Sequence, residues 1–251
     1  MPIISIINQK GGVGKTTTAV NLAAALAEKR RVLLIDLDPQ ANASSGLSVR
    51  DPEYSMDDVL VGDVPARRAV TATAVDNLSV LPASADLAAA AVDLDATSED
   101  LNVLKRALLG VRANFELVLI DSPPSLGALT LNALVAADQL IVPLQTEYYA
   151  LEGMASMMDT IDRVQGGLNP TLSVLGIVLT MFDGRTKLSQ EVEDNVRQHF
   201  ASQVFQSVIP RNVRLAEAPS YGQPIFAYAP TSQGALAYRR LAEEVLQRVS
   251  Q

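Results

Sequence analysis

The sequence predicts an α/β fold built on an open, parallel sheet, and three observations carry that expectation. Short, continuously apolar runs such as Ile3-Ile4-Ser5-Ile6-Ile7, Val32-Leu33-Leu34-Ile35 and Leu117-Val118-Leu119-Ile120 have the form of strands buried on both faces. Helical patterns alternate with them, so strand, helix and strand read as a right-handed βαβ unit. Two of the runs close on acids, Asp36 and Asp121, at the strand ends where open parallel sheets bind ligands. The 251 residues are 48% hydrophobic, and no linker, low-complexity tract or repeat divides them. Residues 1–251 are therefore expected to form a single domain.

The first strand feeds Gln9-Lys10-Gly11-Gly12-Val13-Gly14-Lys15-Thr16-Thr17, which reads as a phosphate-binding loop. Glycines let the backbone turn so that successive N–H groups point inward. The helix that follows adds its positive end, so an anion is favoured where loop meets helix. Lys15 supplies a point charge for the outer phosphates, and the Thr16 hydroxyl is placed to ligate Mg²⁺. The usual G-x-x-x-x-G-K-[ST] pattern wants Gly at position 9, where Gln9 stands, with Lys10 beside it; this is the deviant form of the loop. Taken alone, Lys10 reads as a solvated loop lysine.

Ala19, Leu22, Ala23 and Leu26 recur at helical spacing, and that helix is expected to stop near Lys29-Arg30-Arg31. The next strand ends in Asp36-Leu37-Asp38-Pro39-Gln40. Asp38 is placed to orient a water or to help hold Mg²⁺, Asp36 suits a structural role as well, and a plain Asp-Pro turn is the alternative. Residues 41–76 carry no assignable chemistry beyond a helical hint at Met56–Val61. Leu78–Pro82 predicts a strand, and Ala83–Val92 and Glu99–Val111 predict helices, with Leu87–Val92 in the core.

Phe115–Asp121 is an apolar strand closing on an acid, the form of a Walker-B element, in which Asp121 holds Mg²⁺, directly or through water, beside Thr16. Pro123 and Pro124 stop that strand. A helix over Leu126–Ala137, a strand over Gln139–Pro143, a helix over Tyr149–Val164 and a strand over Leu172–Met181 follow. No lysine of a guanine-reading Asn/Thr-Lys-x-Asp appears near Asp183, which favours ATP over GTP. Leu188, Val192, Val196 and Phe200 repeat at i+4 as a core stripe, leaving His199 on the surface. Val204–Ile209 predicts a late strand, Pro210–Ser220 a loop with a short helical centre, and Gln233–Val249 a closing amphipathic helix.

Composition narrows the function classes. The chain has no cysteine, which excludes disulfides, thiolate metal sites, Cys nucleophiles and Cys-ligated iron–sulfur clusters. Residues 1–7 are too short and uncharged for a signal peptide, and no apolar run of about 18 residues spans a bilayer, so a cytosolic protein without membrane attachment is expected. The formal net charge of −8 argues against a generally basic nucleic-acid binder. Only residues 201–251 carry more Lys/Arg than Asp/Glu, 5 against 3, so nucleic-acid contact must use a local patch in the C-terminal part.

Four ordered blocks, Lys10-Gly-Gly-Val-Gly-Lys-Thr-Thr, Leu34-Ile-Asp-Leu-Asp-Pro-Gln, Val118-Leu-Ile-Asp-Ser-Pro-Pro-Ser and Ile209-Pro-Arg-Asn-Val-Arg-Leu-Ala-Glu-Ala-Pro-Ser, together resemble the ParA/Soj chromosome- and plasmid-partition ATPases. The resemblance runs from end to end. It implies a doubly wound, mostly parallel sheet with helices on both faces, and a homodimer formed around ATP. Lys10 then matches the lysine that reaches the partner subunit's phosphates, Asp38 the residue needed for hydrolysis, and Pro210 and Asn212 the adenine contacts. Arg185 and Arg214 match arginines implicated in binding nonspecific double-stranded DNA, which places the protein on the nucleoid, with a ParB-like partner stimulating hydrolysis. The chain does not end in the basic amphipathic helix of MinD-like proteins, lacks the cluster cysteines of nitrogenase iron protein, and starts its phosphate-loop strand at Ile3, without an N-terminal repressor domain. Positioning of another cargo on the nucleoid, and a nucleotide-gated regulatory module with negligible turnover, stand as alternatives.

Overall fold

The computed structural model describes residues 1–97 and 100–250. Seven strands form one sheet: β1 (Ile3–Ile6), β2 (Val32–Asp36), β3 (Thr71–Ala72), β4 (Leu78–Leu81), β5 (Leu117–Asp121), β6 (Gln139–Gln145) and β7 (Ser173–Thr180). Their spatial order is β3-β4-β2-β5-β1-β6-β7, parallel throughout except for the β3–β4 edge pair. Among the described residues, twelve α-helices lie between and after them: α1 (Lys15–Ala27), α2 (Asn42–Ser45), α3 (Met56–Val61), α4 (Ala66–Ala69), α5 (Leu87–Thr97), α6 (Val103–Leu108), α7 (Ala128–Ala136), α8 (Ala150–Gly167), α9 (Lys187–Phe200), α10 (Val213–Glu217), α11 (Ile225–Tyr228) and α12 (Gln233–Val249).

Strand pleating sorts side chains to two faces. Ile4, Ile6, Leu34, Val80, Leu119 and Val178 pack on one face against α1, α11 and α12. On the other, Ile3, Leu33, Ile35, Val118 and Ile120 meet α3, α5, α6 and α7, while Leu140, Val142, Ile177 and Leu179 meet α8 and α9. A sheet covered on both faces explains why its strands read as unbroken apolar runs. The predicted doubly wound α/β architecture is the observed one.

Several local expectations need correction. Val204–Ile209 is not a ladder strand; it touches the β7 edge through isolated bridges, Ile177 with Val204 and Phe182 with Pro210. Phe205 N and Ile209 N donate to Ile177 O and Leu179 O at 2.9 and 2.8 Å, so alternate amides are satisfied without a regular pairing. Leu188 is 43% exposed, since the core stripe of α9 starts only at Val192. In α5, Leu87 and Ala90 are buried, whereas Ala88 and Ala89 are exposed and Val92 is 66% exposed. A short apolar run without periodicity had concealed that this helix covers the sheet with one side only. That helix starts at Leu87, not Ala83; the predicted start at Glu99 lies outside the described residues, and α6 begins at Val103.

Register does the positioning. In the parallel ladders Ile6 pairs with Asp121, and Asp36 pairs with Asp121. The C-terminal ends of β2, β5 and β1 therefore lie side by side, bringing Ile6, Asp36 and Asp121 from three separate sequence blocks onto one edge.

Candidate nucleotide and cation site

At that edge the chain leaves β1, turns through Gly12 and Gly14 and enters α1. Gly12 has φ 75° and Gly14 φ 90°, left-handed conformations that any side chain would strain, which is why the loop needs glycine there. Gly14 is the N-cap of α1, with no side chain to cap the helix, so the first amides of α1 stay available to an anion. The cradle is anchored from outside: Thr180 Oγ1, at the end of β7, donates to Val13 O at 2.8 Å, and Asn8 Oδ1 accepts from Lys10 N at 2.9 Å while its amide donates to Pro143 O at 2.7 Å. Neither Asn8 nor Thr180 was singled out from sequence; a polar residue closing an apolar strand was the available signal.

The two lysines diverge. Lys15 is buried, and its Nζ donates to Lys10 O at 3.0 Å, within the charge field of Asp121 and Asp38. Burial lowers its pKa below the ordinary lysine value, and the two carboxylates oppose that shift. Lys10 instead turns outward to Glu147, Nζ to Oε2 3.0 Å, with both side chains nearly half exposed. Such an ion pair contributes about 0–1 kcal/mol, so a phosphate can displace Glu147 easily.

The carboxylates separate by role. Asp36 is fully buried and holds the chain after β2: its Oδ2 accepts from Ser44 N at 2.8 Å and Ser44 Oγ at 2.7 Å, and its Oδ1 from Asp38 N at 3.2 Å. Burial, with a smaller contribution from the charge of Asp38, raises its pKa to about 6 against these hydrogen bonds. The arrangement favours the structural reading of Asp36. Asp38 is 9% exposed and accepts from Gln40 N at 3.0 Å, a local turn bond, and its charge acts on both Lys15 and Asp121.

Asp121 is different. It is completely buried, and among the described residues neither carboxylate oxygen meets full hydrogen-bond geometry with a donor, although the Thr16 hydroxyl lies close by. Burial pushes its pKa well above the carboxylate range, the Asp36 charge adds to this, and the nearby Thr16 hydroxyl and Lys15 oppose it. Two unpartnered oxygens in a dry site are costly unless something binds there. With the Thr16 hydroxyl beside them they suit a hard cation that takes oxygen ligands. No cluster of three or more acids or histidines able to hold a metal occurs among the described residues, so any such cation must take further ligands from its nucleotide or from water.

Beside the loop lies an apolar cavity of about 250 Å³ lined by Gly14, Thr17, Met181, Pro210, Asn212 and Tyr238, among others. The structure thus places Pro210 and Asn212 in the wall of a cavity that Gly14 and Thr17 of the phosphate loop also line. Arg185 and Arg214 lie apart from the cradle on the surface. Arg185 is held by Asp183 through Nε at 2.9 Å and Nη2 at 2.7 Å, and Arg214 by Glu217 at 2.8 Å, with Tyr228 OH also donating to Glu217 at 2.9 Å.

An open parallel sheet with a glycine-turned anion cradle and a buried cation-seeking acid on adjacent strand ends defines an α/β nucleotide-binding protein of the phosphate-loop class. The family model described as an AAA domain matches residues 1–174. Over 249 residues, covering 99% of this chain and 96% of the relative, the chain is 55% identical to the chromosome-partitioning ATPase Soj of Thermus thermophilus. It is 51% identical to the sporulation initiation inhibitor protein Soj of Bacillus subtilis, covering 97% of each. A solved structure described as cobyrinic acid a,c-diamide synthase from Mycobacterium smegmatis, with bound ATP analog and magnesium, is 39% identical and superposes with a TM-score of 0.87, covering 100% of this chain and 96% of that one. The chain belongs to the ParA/Soj family of chromosome-partitioning ATPases.

The raised acids give the site a pH signature. A carboxyl whose folded pKa lies above its unfolded value binds more protons folded than unfolded, so its contribution to stability falls as pH rises from about 4 through the folded pKa. For Asp36 that window ends at about 6, and Asp121 is shifted in the same direction. Without nucleotide, Asp121→Asn should raise the thermal midpoint at pH 8 and flatten its decline as pH rises from about 4; a parental-like profile in differential scanning calorimetry would show that the Asp121 carboxyl is not held against ionisation.

Proposed function

We propose that this chain is an ATP-hydrolysing positioning switch for chromosome or plasmid partition, in which residues 1–251 act as one nucleotide-binding unit. ATP drives a two-fold homodimer that holds nonspecific double-stranded DNA, and a ParB-like partner stimulates hydrolysis and release. The protein works in the cytoplasm on the nucleoid; among the described residues no helix is long and apolar enough to cross a membrane. The observation that carries the reading is the buried, unpartnered Asp121 beside the Thr16–Lys15 cradle. Relatives named as chromosome-partitioning ATPases, and the related structure with bound ATP analog and magnesium, support ATP and Mg²⁺ as the ligands.

Gly11, Gly12, Val13, Gly14 and Thr17 cradle the phosphates through backbone amides, and Lys15 gives up its bond to the Lys10 carbonyl to take the outer phosphates. Thr16 and Asp121 hold Mg²⁺, with Asp38 nearby, and the ion supplies positive charge to the phosphate oxygens. Pro210 and Asn212 border the base. Lys10, resting outside its own cradle on Glu147, is free to swing to a second subunit's phosphates. Asp38, close enough to Lys15 and Asp121 for its charge to act on both, orients the attacking water.

These roles separate in calorimetry and light scattering. Lys15→Ala should lose ATP binding; unchanged affinity would remove Lys15 from the phosphates. Lys10→Ala should bind ATP as a monomer. Asp38→Ala should bind ATP and dimerise while hydrolysing at least about a hundredfold more slowly, the lower end of the range for positioned acid–base groups. Parental turnover in that variant would reassign Asp38, and turnover that no partner raises in the parental protein would favour the regulatory-module alternative. The DNA arm is a gel shift on two unrelated duplexes with ATP, ADP and no nucleotide. Binding should require ATP, and Arg185→Ala and Arg214→Ala should weaken both duplexes alike; equal binding in all three nucleotide states would sink this part of the reading.

A further inference from the structure

Arg185 and Arg211 lie on segments joined at the end of β7, Arg214 follows three residues after Arg211, and Arg240 lines a groove that includes Phe182 and Pro210. Phe182 bridges Pro210, and Arg211 N donates to Phe182 O at 2.9 Å, which places Arg211 between the loop carrying Arg185 and the helix carrying Arg214. On the far side of Phe182 and Pro210 a groove of about 580 Å³ runs between α12 and residues 206–210, with Arg240 in its wall.

The charges of that groove are unevenly engaged. Glu244 accepts from Gln206 N and Ser207 N, each at 2.7 Å, and from Ser207 Oγ, so its carboxylate is committed to holding the 206–207 backbone. Glu243 faces Lys29 at 3.8 Å. Arg240 is exposed and forms no hydrogen bond or ion pair among the described residues. Arg211 is exposed too, and the charge it feels is that of Asp183, which already chelates Arg185. Gln206, Gln233 and Gln247 add uncharged amide donors to the same walls.

We propose that this groove is a second seat for the phosphodiester backbone of duplex DNA, with Arg240 as its principal contact and Arg211 joining it to the Arg185–Arg214 patch. This rests on the reading that the ATP-bound chain binds DNA. A phosphate reaching Arg185 or Arg214 must displace Asp183 or Glu217, so only the difference between two anion contacts is gained. A phosphate at Arg240 displaces no anion. On a chain with net charge −8, where long-range attraction to DNA is absent, an uncommitted cation within about a Debye length, roughly 8 Å at physiological salt, is worth more than a paired one. Each phosphate neutralised releases counterions and steepens the dependence of log affinity on log salt by about 0.9.

The test measures that slope for the full-length chain with ATP, by interferometry on two unrelated duplexes from about 50 to about 200 mM salt, the range over which counterion release is read. Nucleotide affinity is followed in parallel, so that loss of the ATP-bound state is not read as a lost DNA contact. Arg240→Ala should make the slope shallower by about 0.9 per subunit, about two for a dimer, equally on both duplexes. Arg240→Lys should keep the parental slope. A parental slope in Arg240→Ala overturns the inference. The same follows if that variant keeps its DNA slope but loses partner-stimulated hydrolysis, which would make the groove a protein-docking face. Arg185→Ala run alongside separates the two readings: if it weakens binding and Arg240→Ala does not, only this inference fails, whereas a parental chain that binds neither duplex removes the DNA reading itself.

Discussion

The arrangement depends on one unfavourable fact, the Asp121 carboxyl buried at the C-terminal end of β5 with neither oxygen in full hydrogen-bond geometry among the described residues. The effective cost of taking an ion out of water inside a protein is several kcal/mol. Lys15 offsets part of it, and Lys15 is itself buried and pays in a lowered pKa. Burial of Asp36 on the neighbouring strand adds a second charge that resists ionisation. Such a cluster persists only where the strands carrying it cannot move apart. The paired ends of β1, β5 and β2, packed on both faces by apolar clusters, supply that rigidity.

A rigid, under-compensated site stores part of the binding energy of whatever completes it. Around it the side chains that must move are held lightly: Lys10 by a half-exposed carboxylate, Lys15 by a backbone carbonyl. Pro210-Arg211-Asn212 joins this centre to the surface. Pro210 and Asn212 line the cavity beside the loop, Asn212 Oδ1 caps α10 through Arg214 N at 2.8 Å, and Arg214 stands one residue further on. Under the proposed function, filling the cavity and placing the arginines are consecutive events on one short segment.

Much of this was legible in the sequence because burial on both faces leaves a strong signature. The runs expected from Ile3, Val32, Leu78, Phe115, Gln139 and Leu172 all became strands, the fourth starting at Leu117 and the last at Ser173, and the amphipathic pattern at Gln233–Val249 became α12 with the same bounds. Weak signals failed where structure is decided by distant partners. The two-residue antiparallel β3 exists only because β4 offers an edge. Val204–Ile209 looked like a strand from composition, but it fastens to β7 by alternate amides while Glu244 of α12 takes two others. At the site, glycines, Lys15, Thr16, Asp38 and Asp121 announced themselves through local motifs. Glu147 as the resting place of Lys10, Ser44 as the clasp of Asp36, and Arg240 opposite Phe182 lie far from those motifs in the chain, and no local pattern marks them.

The central claim is that Asp121 is kept buried and unpaired for the sake of a cation brought in with nucleotide. The most direct measurement is a calorimetric titration of ATP, with and without Mg²⁺, into the parental chain and into Asp121→Asn. The parental chain should gain at least about tenfold in affinity from Mg²⁺, about 1.4 kcal/mol, and the variant should gain little. An equal gain in both proteins would contradict the account, because the buried carboxylate would then be taking no part in holding the ion.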